Sequence, residues 1–294
     1  KNPRDYVNLF PSAHVTFDLE KDNGLQVSYS RRVRRPFYND LSPYATFSDS
    51  RNFFGGNPDL DPEFSNAYEI GHIKTFDKGA FTSSVYYRST KGRIERIRKV
   101  DGLGNSITKP ENLLSETAFG LEFTSGYTPY KWWRLNGNLN VFRNENQGDY
   151  KYVDYLGNDV VQNFDNIATS WFTRISSKVT LPYKVDWQTN LTYNAPQNSA
   201  QGKRLDMTSV NLAFSKDVLK DKGSITLNVS DLFNTRKRRF TNEIENVVSS
   251  YSEFQWRERQ ITLAFTYRFN KKKNERETRR EDNGGGEGDF MGRP

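Results

Sequence analysis

Cysteine is absent from the 294 residues, which removes at once a disulfide framework, a thiolate metal site and a cysteine nucleophile. Long apolar runs are also missing. No stretch approaches the ~20 residues that a membrane-spanning helix needs. Hydrophobic residues amount to 34% and the mean hydropathy is -0.86, too polar for an ordinary water-soluble core. Histidine is scarce, with only His14 and His72, and there is no GxSxG, HExxH or Walker loop, so catalysis is not expected. The chain opens at Lys1 with neither Met nor a signal peptide. Preceding sequence is therefore expected to have been removed by processing or dissection.

Against these absences stands an aromatic content of 14%. A chain this polar without aromatics would be disordered, but this many Tyr, Phe and Trp must be shielded somewhere. They fall in alternating runs. Ile261, Leu263, Phe265, Tyr267 and Phe269 take every second position near the C-terminus, with Thr262, Ala264, Thr266 and Arg268 between them. The same period recurs near residues 11–19, 24–34, 64–76, 79–90, 116–127, 132–143, 168–181, 185–194, 205–216, 223–234 and 254–269. Period two in β-branched and aromatic residues, bounded by Gly, Pro, Asn and Asp, predicts eleven strands. Most match the ~9–11 residues of a tilted membrane-spanning strand.

Alternation alone does not separate a membrane sheet from a soluble sandwich. Connection lengths do. Short links ("KDNG" 21–24, "DKG" 77–79, "TPYK" 128–131, "PYK" 182–184, "KDKG" 220–223) alternate with long ones over roughly 35–63, 91–115, 144–167, 195–204 and 235–253. All hairpin turns then lie at one end and all long loops at the other, as in outer-membrane barrels and unlike Greek-key sandwiches. The fold class expected is all-β, a transmembrane antiparallel up-and-down β-barrel. Tyr127, Tyr130, Trp132, Trp133, Tyr183 and Trp187 cluster at the short turns and suit an aromatic girdle. Single-chain bacterial barrels have even strand counts. Eleven strands therefore suggest the C-terminal part of a larger barrel, half of a 22-stranded plugged transporter.

Several stretches say more than their alternation. "NLFPSA" (8–13), "YSRRVRRP" (29–36), "GNPDLDPE" (56–63) with "YEIG" (68–71), "SDLFNTR" (230–236) and the terminal "FTYRF" occur in that order. Together they resemble the C-terminal barrel half of TonB-dependent receptors, especially the outer-membrane β-barrel proteins common in Bacteroidota. The resemblance implies an outer-membrane location and TonB-dependent uptake of a ligand through a barrel. Its plug and remaining strands would lie outside this chain, and TonB would be engaged through that plug. A surface lipoprotein is a further partner the resemblance allows. It implies that the closing strand ends on Phe269 and is read by the assembly machinery. A structural or assembly barrel without transport is the competing reading; a plug with a TonB box would decide for import.

Two regions are expected: barrel over 1–270, and over 271–294 a charged, Gly-rich periplasmic tail too polar to order itself. The long loops would be extracellular. "GNPDLDPE", with two prolines and a glycine, predicts a rigid turn returning a long loop to the barrel. Glu63 and Glu69 fall where it re-enters, with Glu69 facing the lumen. Basic clusters (Arg31, Arg32, Arg34, Arg35; Arg93, Arg96, Arg98, Lys99; Arg236–Arg239) lie at the long-loop ends of strands. They form a rim and not a stripe with stacking aromatics, so nucleic acid is not expected. Outward members would meet membrane lipid and lipopolysaccharide phosphates, and inward ones would attract anionic ligands. The candidate contacts are Arg32, Arg34, Glu63, Glu69, Arg236 and Arg238. Asp40, Asp49, Asp59 and Asp61 could hold a hard cation, but their irregular spacing equally suits turns, and no cofactor or metal is assigned. "DGLGN" (101–105) reads as a glycine-rich turn.

Overall fold

The computed structural model describes residues 7–269 apart from 48, 101–102, 104, 154–158, 200 and 245–247. The tail expected over 271–294, and most of the turn expected at "DGLGN", lie outside the described residues. Eleven strands follow one another in a single antiparallel meander, each paired with its neighbours in sequence order. They are β1 (Ser12–Leu19), β2 (Asn23–Arg34), β3 (Glu63–Phe76), β4 (Gly79–Val100), β5 (Ser106–Tyr130) and β6 (Trp133–Gln147). Then come β7 (Asn166–Leu181), β8 (Val185–Asn194), β9 (Met207–Val218), β10 (Gly223–Ser230) and β11 (Gln260–Tyr267). β1 and β11 form the two edges of this sheet. No helix among the described residues is long and apolar enough to cross a membrane, which does not bear on strands.

The pairing register keeps one chemistry on each face. Across seven strands, Val15, Val27, Ile70, Val85, Leu121, Val141 and Trp171 sit directly opposite one another in a continuous row. All seven are exposed. One residue along, on the other face, the same strands place Thr16, Gln26, Gly71, Ser84, Glu122, Asn140 and Phe172 in register. On that face Ser84, Asn140, Ser170 and Ser209 are buried. A water-soluble sheet buries its apolar side; this one buries small polar groups and displays aliphatic ones.

Two positions toward the long loops from the aliphatic row, Tyr29, Tyr68, Tyr87 and Phe119 line up across four strands. The Tyr29–Tyr68 and Tyr68–Tyr87 ring centroids are 5.0 and 6.2 Å apart. At the short turns Tyr130 stacks on Trp132 at 5.2 Å and Trp132 on Trp133 at 6.0 Å. Aromatics thus border the aliphatic row at both ends, not only at the short-turn end that the sequence singled out.

The short turns are tight. Lys21–Asp22 and Tyr183–Lys184 have both residues left-handed (φ between 58 and 64°), the twist a two-residue hairpin requires. Asn23 helps hold the first by donating to the carbonyls of Glu20 and Lys21 at 2.9 and 3.0 Å.

Several boundaries and loops differ from the sequence expectation. Residues 91–100 and 106–115, expected as loop, are strand. β4 runs 22 residues and β5 runs 25, continuing as one tall hairpin to Val100 and from Ser106. β10 stops at Ser230 and β11 begins at Gln260, so Phe254 belongs to a loop strand instead. That loop strand, Val248–Phe254, joins Gln197–Ser199, Gly202–Arg204 and Arg238–Ile244 in a four-stranded sheet of their own. The closing strand ends at Tyr267, two residues before Phe269. Arg268 still donates its N–H to the Lys222 carbonyl at 2.7 Å, whereas Phe269 is exposed and only rests its ring edge on Tyr267.

On the polar face Tyr86 lies across Gly120 of the next strand, so that its hydroxyl donates to Asn140 Oδ1 two strands away at 3.1 Å. A Cβ on Gly120 would fall on the Tyr86 ring. Gly120→Ala should therefore cost about 1–3 kcal/mol through overpacking. Tyr86→Phe, which loses only the hydrogen bond, should cost about 1 kcal/mol. In a Tyr86→Ala background Gly120→Ala should cost nothing more, because the clash is gone. Urea-unfolding midpoints of the four variants measure this, and additive losses would contradict the crossing.

Candidate functional site

The long links do more than connect strands: they fold over the polar face and enclose a cavity of about 1010 Å³. One wall comes from the end of β2, the short helix Tyr38–Leu41 and β4. The other comes from β7, the end of β8 and the loop sheet.

The first wall is built on compensated charge. Glu63, where the loop re-enters β3, is buried, and its carboxylate accepts the Ile94 N–H at 2.7 Å. The same carboxylate takes Arg34 Nη1 at 3.2 and 3.3 Å on its two oxygens. Beside it the β4–β5 pairing slips between Thr90 and Ile94, and Gly92 takes φ +66° there. That bulge interrupts the alternation and brings Arg93 to Glu116, to Asn146 Oδ1 at 2.8 Å and to Glu95 at 3.5 Å. Burial pushes the Glu95 carboxyl above its usual range, an effect Arg93 opposes. Arg96 pairs with buried Asp40 at 2.9 Å.

"GNPDLDPE" holds this wall in place. Asn57 donates its backbone N–H to the Asp40 carbonyl at 2.6 Å and its side chain to Glu111 at 2.8 Å. The Asp61 N–H reaches Asn112 Oδ1 at 2.6 Å, and Leu60 is buried. Above it, Ile97 and Phe164 form a small apolar core with Leu113 and Tyr150. Lys99 stands over the Tyr150 and Tyr152 rings at 4.4 and 4.7 Å, and burial lowers its pKa.

The second wall is rich in basic side chains. Arg239 pairs with Asp206 at 3.0 Å and Lys237 with Glu253 at 2.7 Å. Arg174, mid-strand in β7, sets its guanidinium over the Phe172 ring at 5.4 Å. Arg204 donates only to the neutral Gln197 Oε1 at 2.7 Å. Partial desolvation by its neighbours, and then the like charge of Arg238, lower its pKa, although the residue is exposed. Phe142, Phe172 and Met207 supply apolar surface between the walls.

The six residues singled out from the sequence are not gathered at one place. Arg34, Glu63 and Arg238 belong to the cavity or its supporting wall. Arg32 is exposed on β2 opposite Ser65, outside the cavity lining. Glu69 lies on the polar face opposite Ser28 and Tyr86, but is exposed and outside the lining. Arg236 contributes its backbone: buried Asp231 accepts the N–H of Thr235 and of Arg236, both at 3.0 Å. Asn234 accepts from Gln255 and from the Arg259 N–H at 2.8 and 3.0 Å. "SDLFNTR" is therefore a turn clamp that ends β10 and ties in the start of β11.

Arg174 and Arg204 were missed. The signal for Arg174 was a full charge at mid-strand, in a run whose other charge, Lys178, lies near the short turn and pairs with Asp186. Asp49 caps the N–H groups of Arg51 and Asn52 at 2.8 and 2.9 Å. Among the described residues no three His, Asp or Glu side chains gather as a metal ion would require.

Residues 1–267 match the outer membrane protein beta-barrel family. No curated protein matches the chain. Among solved structures, the siderophore receptor PirA of Pseudomonas aeruginosa aligns with a TM-score of 0.55 at 15% identity over 84% of this chain. The ferric enterobactin receptor PfeA of the same organism gives 0.58 at 15% over 88%, and the FrpB iron transporter of Neisseria meningitidis 0.51 at 14% over 89%. The alignments cover 42%, 40% and 39% of those chains, so this chain spans about two fifths of their length. The uninterrupted meander, its inverted faces and these matches agree: the chain belongs to the outer membrane protein beta-barrel family and has the fold of TonB-dependent-receptor-like barrels.

Proposed function

We propose that this chain is the C-terminal part of an outer-membrane importer that takes up a ligand through its barrel, driven by TonB. Plug and remaining strands would come from sequence outside residues 1–294. The observation that carries the reading is the cavity: long links fold over the polar face of the meander and leave a charged chamber at its mouth. A chamber there suits capture of a solute before passage; a scaffold would have no use for it. Two further features support import. β1 and β11 are edges of the sheet, which in a bilayer must find further strands because no water satisfies them. Eleven strands are also half of a plugged transporter's 22.

On this reading the exposed aliphatic row faces hydrocarbon and the aromatic rows lie at the two interfaces. The long links face outside, where outward arginines such as Arg31 would meet lipopolysaccharide phosphates. The full-length protein should capture the periplasmic domain of TonB, and losing the segment that precedes the barrel should abolish capture. Failure of the intact protein to capture it would favour a non-transporting scaffold.

Two substitutions test the facing. Leu121→Arg, in the middle of the aliphatic row, should cost about 2–4 kcal/mol and impair insertion, whereas Thr124→Arg on the polar face should be tolerated. Equal damage would reverse the assignment. For the orientation, single cysteines at Ser50 and Ser252 should label on intact cells with an impermeant thiol reagent. One at Asp77, in a short turn, should label only after the outer membrane is opened.

A further inference from the structure

We propose that a groove on the aliphatic face, at the short-turn ends of β2 to β5, holds one phospholipid. Its phosphate sits on Lys74, an ester oxygen at Ser83 and an acyl chain in the groove. The inference rests on the facing argued above, in which the aliphatic row meets hydrocarbon, and not on transport.

The groove follows from one small side chain. Two positions from the aliphatic row toward the short turns, Leu25, His72, Ser83 and Phe123 stand side by side on the same face. Ser83 is much smaller than its neighbours, so the row dips there and leaves a groove of about 290 Å³. Ile70, Val85 and Leu121 of the aliphatic row line the end away from the turns. Phe123 forms one side, with the Phe81 ring stacked 6.1 Å from its own.

The groove is apolar at one end and polar at the other. The Ser83 hydroxyl makes no hydrogen bond among the described residues, and a hydroxyl without a partner is costly in hydrocarbon. His72 beside it is already oriented. The Asn23 amide nitrogen donates to the Glu20 and Lys21 carbonyls, which leaves its Oδ1 to accept from His72 Nε2 at 3.2 Å. Two positions beyond His72 on the same face, directly opposite Asn23, comes Lys74. It donates to the Lys21 carbonyl at 2.7 Å and pairs with no carboxylate among the described residues. An ammonium has three donors, so two remain, with the full charge, for an anion. Lys74 is also two residues from the end of β3, where a long cationic side chain reaches the headgroup level. Cation, unpartnered hydroxyl and apolar groove thus succeed one another along the strands. A phospholipid carries phosphate, ester and chain in that order. A free phosphate would leave the groove empty, and a chain without a headgroup would leave Lys74 unused.

The test is native mass spectrometry of the full-length protein in detergent, titrated with palmitoyl-oleoyl phosphatidylglycerol or with the diacylglycerol of the same chains. One phosphatidylglycerol should be retained, and the diacylglycerol, which lacks the phosphate, should not. Lys74→Gln should raise Kd about tenfold, the worth of one charge-assisted hydrogen bond. Lys74→Arg keeps the charge and should bind like the parent. Ser83→Leu, which fills the groove with a side chain suited to lipid, should also weaken retention by about tenfold without impairing insertion. Lys184→Gln, in another short turn, should change nothing. Absence of a retained lipid, equal retention of diacylglycerol, or unchanged retention in both Lys74→Gln and Ser83→Leu would overturn the proposal. So would equal loss in Lys74→Arg and Lys74→Gln, since charge would then not hold the lipid. Preferential retention of lipopolysaccharide would place the groove in the other leaflet and overturn it as well. Failure of the facing would show separately, in the insertion of the Leu121 and Thr124 variants. Lipid retention without TonB capture would count against import alone, and TonB capture without lipid retention against this site alone.

Discussion

Everything in this molecule depends on the requirement that a backbone without water must satisfy its N–H and C=O groups on neighbouring strands. An up-and-down meander is the cheapest answer, since each strand pairs with the one before and the one after. Once the strands are so paired, register becomes the carrier of chemistry. A slip of one residue would move every aliphatic side chain to the polar face. Here the row from Val15 to Trp171 crosses seven strands without a break. The tight left-handed turns fix that register at one end. At the other, turn clamps such as Asp231 in "SDLFNTR" fix where a strand stops.

The buried side of the sheet follows different rules from an ordinary core. Its close packing is made by small polar groups and by glycines that let a large ring pass over. Tyr86 across Gly120 is the clearest case, and Asn138, donating to Glu122 at 2.7 Å and Thr124 at 3.1 Å, is another. Hydrogen bonds among such groups contribute modestly each, but an unpaired member would be costly. The polar face is thus organised as a network, while the aliphatic face needs only bulk.

Much of this was legible in the sequence because a period of two is a local property. All eleven strands were visible, as was the alternation of short and long links; Arg34 was expected at the long-loop end of a strand and Glu63 where a loop re-enters, but their pairing with each other was not. What was not legible is non-local. Residues 91–115 looked like loop because the alternation fails at the bulge around Arg93, yet pairing resumes beyond it. Phe254 fell within the run assigned to the last strand, and only pairing with Arg238 shows that it belongs to another sheet. Arg204 lies in the polar link 195–204, which has no pattern of its own. Its place beside Arg238 exists only because two links separated in sequence pair with each other. Arg236 had the right charge and neighbourhood, but its turn directs its backbone, not its side chain, into the structure.

The tall hairpin shows why the chamber sits where it does. At ~3.3 Å per residue the 22 residues of β4 span about 70 Å, more than twice the ~30 Å of a hydrocarbon core even before strand tilt is allowed for. The upper part of β4 and β5 must therefore stand clear of any membrane, and there the apolar logic returns to normal. Ile97 and Phe164 are buried against Leu113 and Tyr150, as in a soluble domain. The bulge at Thr90 to Ile94 lies between the two regimes. It separates the stretch that carries the exposed aliphatic row from the one that carries the Ile97–Phe164 core. Arg93 lies in that bulge and Glu95 and Arg96 follow it, so the charged wall of the chamber is built where the alternation of the sheet breaks.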